Sequence, residues 1–153
     1  MRTLSRMFVL AFMAVLLVQT QALAGAFHDQ PPMTNAEVEQ FIKDFPGFKQ
    51  WMYDNKLNAQ AARPVVDKDG NPSFVWDDTV TKWFEGKSWA PERFFYTMTH
   101  CSAAIALVLH GDKLSGANRP PDMPFINDYE MNLVRQYQEQ VMDALSAKVK
   151  KAN

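Results

Sequence analysis

Residues 91–110, PERFFYTMTHCSAAIALVLH, decide the fold class of this chain. Pro91 fits the first position of a helix, where its missing N–H costs nothing, and Glu92 just inside it suits the helix dipole. Ala103 to Leu109 holds no polar residue. A helix with so little polar surface belongs at the centre of a bundle. Gly111 reads as a left-handed cap that ends it.

Outward from this segment the pattern stays helical. Upstream, Thr34–Asn35–Ala36–Glu37 is a capping box, followed by Val38, Phe41, Ile42 and Phe45 at helical spacing. Pro46 is expected to break that helix or to open a second one through Phe48, Trp51 and Met52. Trp76, Val80, Trp83 and Phe84 form a third apolar stripe, ended by Gly86. Downstream, Asn127 and Glu130 form a capping pair, with Ile126 and Met131 as a staple. Tyr129, Leu133, Tyr137, Val141 and Leu145 then step by four along one face. Between these lie loops rich in Pro and Gly, from Asp112 to Pro124 and from Leu57 to Ser73. Asp69–Gly70–Asn71–Pro72 is a turn signal and allows a short hairpin of Pro64–Asp67 against Ser73–Trp76. It fails the calcium-loop pattern, which needs Gly where Pro72 stands. The summed expectation is all-α: one small bundle of four to five helices with a long central apolar helix and Pro/Gly-rich loops.

The first 24 residues set the expected address. Arg2 and Arg6 precede an uninterrupted apolar run from Met7 to Val18, and Ala22–Leu23–Ala24 closes it with small residues. That is the layout of a secretory signal peptide, and the run is shorter than the ~20 residues a membrane span requires. Cleavage after Ala24 leaves residues 25–153 as one domain, with 25–33 as an irregular arm and no membrane anchor. The expected location is periplasmic or extracellular. Removal of two arginines and no acid takes the formal charge from −1 to −3. An acidic domain of this kind lacks the basic footprint of nucleic-acid binding. Cys101 is the single cysteine, so no internal disulfide can form.

Little in the sequence carries chemistry. His100–Cys101 invites a nucleophile reading, but neighbours on a helix point about 100° apart. Cys101 falls with Phe94, Met98, Ile105 and Val108 on the core stripe, and reads as a small buried hydrophobe. His100 falls with Arg93, Tyr96, Ala103 and Ala104. His100 and His110 lie ~15 Å apart along the axis, too far to share a metal ion. His28, in the arm, is free to approach either. There is no H-E-x-x-H, C-x-x-C or G-x-S-x-G. No catalytic residue and no cofactor are therefore assigned. An enzyme would need two or more of His100, Arg93, Glu92 and Asp112 to converge.

The aromatics from Trp76 to Tyr96 are expected in a helix–helix core, with a peptide groove as the functional reading. The candidate binding residues are Trp89, Arg93, Tyr96 and His100. The leading expectation is a secreted, non-enzymatic helical protein that binds an envelope protein or peptide. The alternative is a small-ligand or metal- or haem-binding module centred on the His100 face.

Overall fold

A computed structural model describes residues 27–151, so the signal-peptide reading of residues 1–24 falls outside the described residues. Five α-helices and one two-stranded antiparallel sheet make up the regular structure of the described residues. The helices are α1 (Asn35–Asp54), α2 (Asp78–Thr81), α3 (Pro91–His110), α4 (Asp128–Gln136) and α5 (Gln138–Ser146). The strands, β1 (Ala62–Val66) and β2 (Pro72–Trp76), follow α1. The all-α expectation is thereby corrected: the fold is helical with a hairpin built in.

The hairpin forms because its turn is chemically complete. The Asp67 carboxylate accepts from the amides of Asp69 and Asn71 at 2.9 and 2.8 Å, and Gly70 takes the left-handed φ of +85° that the turn needs. Five residue pairs register the strands, with Pro64 opposite Phe74. Phe74 stacks on Phe95 of α3, centroids 4.5 Å apart and planes 16° apart, and Trp76 lies 5.1 Å from the same ring. A lone two-stranded hairpin is marginal in water, so this contact with α3 is what retains it.

α3 is the axis of the core, as its composition implies. Phe94, Phe95, Cys101 and Ala104 are buried along it, and each fully buried Phe contributes about 1.5–3 kcal/mol. α1 packs against it through Phe41, Phe45 and Phe48, all with rings near Phe94. The capping box is present, with Glu37 N–H donating to Thr34 Oγ1 and Thr34 N–H to Glu37 Oε2. α1 does not break at Pro46 but runs through it. Burial of Phe41, Phe45 and Phe48 on one continuous face outweighs the hydrogen bond that Pro46 forgoes.

Three other local expectations are corrected. The stripe from Trp76 to Phe84 is not one helix: Trp76 ends β2, Asp77 caps α2, and Lys82–Phe84 is a 3-10 turn. Gly111 is right-handed, with φ −46°, and leads α3 into another 3-10 turn. The last helix is two, because Tyr137 leaves helical geometry at φ −108° and ψ 17°. Its buried side is Glu130, Leu133, Val134, Val141 and Ala144, while Tyr129 faces solvent.

Candidate functional site

Three polar side chains line one face of α3, and a fourth from α4 meets them. Arg93, Tyr96 and His100 are spaced by three and four, so they stack up the helix. The Arg93 guanidinium lies 4.7 Å from the Tyr96 ring centroid, and the Tyr96 ring lies 3.8 Å from the His100 ring at 24°. Across from them, α4 contributes Glu130, which is 1 % exposed. Asn127 caps α4 by accepting from the Glu130 amide at 2.8 Å, and this fixes where the Glu130 side chain starts. The carboxylate then turns inward, away from its own helix end.

Glu130 is fully engaged. Oε1 accepts from the Met33 amide at 2.9 Å and from the Tyr96 hydroxyl at 3.1 Å. Oε2 faces His100 Nδ1 at 3.0 Å and Asn127 Nδ2 at 3.4 Å. Burial pushes its pKa up, but the hydrogen bonds from His100, Met33 and Tyr96 outweigh it and hold the carboxyl below its usual value. An ionised Glu130 makes His100 Nδ1 the proton donor. In the neutral imidazole, Nε2 then carries the lone pair. Burial and the adjacent Glu130 charge raise the Tyr96 phenol well above its ordinary value, which keeps it a hydrogen-bond donor.

Arg93 plays a different part from its two stacked neighbours. Its guanidinium forms a forked pair with Glu37, at 2.5 and 2.7 Å, and donates to the carbonyls of Pro31 and Pro32 at 2.6 and 2.9 Å. The Glu37 carboxyl is lowered to about 2, chiefly by Arg93. Arg93 thus straps the arm across α3. The arm is held a second time by Phe27, whose ring lies 6.3 Å from Phe74 and 6.2 Å from Tyr96.

The strapped arm closes a cavity of about 370 Å³. Its polar wall comes from His28 and Gln30 of the arm, Asn71 of the hairpin turn, Tyr96 and His100 of α3, and Asn127 with Glu130 of α4. His100 is 3 % exposed, and its Nε2 has no hydrogen-bond partner among the described residues. The same holds for Nδ1 of His28, whose Nε2 lies 3.3 Å from Asp29. A second cavity, of about 410 Å³, lies between Phe74, Met98 and Met123. Its hydroxyls, Thr99 and Ser102, already donate to backbone carbonyls of α3, and Asp122 is its one charged lining residue among the described residues.

Of the residues singled out in the sequence, Tyr96 and His100 line the first cavity and Arg93 builds its arm. Trp89 lines none of it: its indole N–H donates to Asp44 at 3.0 Å, and its ring packs on Phe94. Neither Glu92 nor Asp112 reaches the cavity, and His110 is exposed at the far end of α3. Cys101 is buried beside Met33, and burial drives its thiol far above the reactive range. Glu130 is the functional candidate that the sequence concealed. Its position four residues before the buried Val134 placed an acid on the apolar side of α4, and that was the available signal.

The chain matches no protein-family model, no curated protein and no solved structure. No helix among the described residues is long and apolar enough to cross a membrane.

Proposed function

We propose that this protein is a secreted, non-enzymatic binding module whose small ligand occupies the cavity beside His100. One observation carries this reading: a buried histidine, oriented through Nδ1 by an ionised glutamate, stands in the wall of a cavity with its second nitrogen unpartnered. Burying a charge is costly, and an apolar core of the same shape is often as stable. A carboxylate–imidazole pair placed at a cavity wall instead fixes a tautomer and aims a lone pair, which is useful for holding a ligand. Among the described residues no serine, threonine or cysteine lines the cavity to act as a nucleophile, which favours binding over acyl transfer.

A docking surface for an envelope protein or peptide has less support. The aromatics that would form it are spent in the core, with Trp83, Trp89, Phe94 and Phe95 all buried. The exposed Phe125 sits on the lip of the His100 cavity, where it would cover a ligand.

The test is solution NMR on the mature protein with a library of small organic acids, amines and polyols. Compounds that bind should shift the Asn71, Tyr96 and His100 resonances together and leave those of His110 in place. A library that moves none of the cavity residues would sink the proposal.

A further inference from the structure

We propose that the second cavity, between the hairpin and α3, binds a small amphiphilic amine, with its apolar body inside and its ammonium group on Asp122. The inference concerns a different cavity from that of His100 and does not rest on the reading above.

Three elements build the walls. The hairpin supplies Pro64 and Phe74, which face each other across the strands, and Phe74 is held in place by its stack on Phe95. α3 supplies Met98, Ser102 and Ala106, spaced by four on one face. The small side chains of Ser102 and Ala106 leave room beside the helix. The loop after α3 closes the far side with Met123 and Pro124. Close-packed interiors rarely leave a void larger than a water molecule, yet this cavity measures about 410 Å³. That is the size of a small-molecule site. Met98 and Met123 are flexible and polarizable, so their side chains can fit themselves to an apolar body.

The polar groups of the wall select the ligand's charge. The Thr99 hydroxyl is spent on the carbonyls of Phe95 and Tyr96, and that of Ser102 on the carbonyl of Met98. Asp122 is half-buried, and its carboxylate makes no hydrogen bond or ion pair among the described residues. The turn around it does not need that carboxylate, because the Met123 amide donates to the Pro120 carbonyl at 3.1 Å. Arg119, the nearest cation along the chain, gives its guanidinium to the Pro124 carbonyl at 2.6 Å. Among the described residues no Lys, Arg or His lines the cavity. A lone carboxylate beside an apolar wall complements an ammonium group carried on an apolar body, and it repels an acid of the same shape.

The experiment is an NMR titration of untagged mature protein, labelled at its methionine methyl groups, with probes that share an indole body: tryptamine, tryptophol and indolepropionate. Tryptamine should move the methyls of Met98 and Met123 and leave those of Met52 and Met142 in place. It should bind about 10-fold more tightly than the alcohol, as a hydrogen bond to a charged group allows, and the acid should bind most weakly. Added salt should narrow the gap. D122N should abolish the amine's advantage and leave the alcohol's affinity unchanged, which also shows that the variant folds. A106L, which fills the cavity, should weaken amine and alcohol alike. An alcohol or acid that matches the amine overturns the inference, as does an advantage that survives D122N. Shifts at Asn71 and His100 with Met98 unmoved would put the amine in the first cavity and overturn it too. A dimer that tryptamine dissociates would make a second copy of the chain the occupant, with the same consequence.

Discussion

Glu130 connects three separate parts of the chain through one carboxylate: the arm at Met33, the central helix at Tyr96 and His100, and its own capping residue Asn127. Glu130→Ala would leave an imidazole, a phenol and a backbone amide buried without an acceptor. The expected loss of stability is about 3–5 kcal/mol, since several buried donors lose their acceptor at about 1–3 kcal/mol each. Urea denaturation followed by far-UV circular dichroism measures it, and a loss below ~1 kcal/mol would mean that the network relaxes onto water. The sequence disguised this residue. Glu three residues after Asn is the signature of a helix N-terminus, and the cap is indeed made. The amide end of that pair was legible. The destination of the carboxylate was not, because it depends on a helix 30 residues upstream. Arg93, Tyr96 and His100 were legible as one face of α3, because spacing alone fixes direction on a helix.

At the scale of the element, α1 shows tertiary packing overruling a local rule. An interior proline costs a helix up to ~3 kcal/mol, yet α1 continues past Pro46 with Phe45 and Phe48 packed on Phe94 to either side. Pro46→Ala should restore the missing backbone hydrogen bond. It would also loosen the unfolded chain, which offsets roughly 0.4–1 kcal/mol of that gain. The expected net effect is a stabilisation of roughly 1–2 kcal/mol, read as a higher urea midpoint at unchanged slope. A lower midpoint would show that the half-buried ring of Pro46 packs better than a hydrogen bond does. The hairpin shows the reverse relation. Its turn was legible from Asp69–Gly70–Asn71–Pro72, but its strands carry only weak alternation, with Val65 and Val75 in unlike surroundings. What makes the strands is Phe95, a residue of another element. The hairpin also brings Asn71 to the cavity wall, so an all-helical reading could not have completed the site.

For the whole molecule, the two buried or half-buried carboxyls make acid the natural unfolding agent. Glu37 is lowered to about 2 from an ordinary 4.5, and Glu130 is lowered as well. Both bind protons less readily in the folded state than in the unfolded one. The contribution of Glu37 is therefore complete above about pH 4.5 and is lost as pH falls toward about 2, and that of Glu130 is lost in the same direction. Urea titrations from pH 7 to pH 2 should show stability falling through that window, and Glu37→Gln should flatten part of the fall. Glu37 orients the Arg93 guanidinium that holds the Pro31 and Pro32 carbonyls, and Glu130 holds the Met33 amide, so the arm should loosen as the two acids are protonated and open the cavity. Hydrogen exchange at Met33 and nearby amides, taken relative to the intrinsic rate at each pH, reports that release; protection that persists at pH 2 would show that Phe27 and the Arg93 bonds to Pro31 and Pro32 hold the arm without the two carboxylates.

The sequence by itself determined the long elements and their faces. The capping box of α1, the limits of α3 at Pro91 and His110, the burial of Cys101 and the stacking face of Arg93, Tyr96 and His100 all follow from spacing within one segment. Only the tertiary structure decided the hairpin's place on Phe95, the inward turn of Glu130, and the assembly of arm, hairpin turn, α3 and α4 around one cavity. The division has a physical cause. Helix periodicity and caps are interactions between residues a few positions apart, which a sequence displays directly. The cavity is made by contacts between residues tens of positions apart, and these exist only once burial of the aromatic core has brought the arm, the hairpin turn and α4 to the same side of α3.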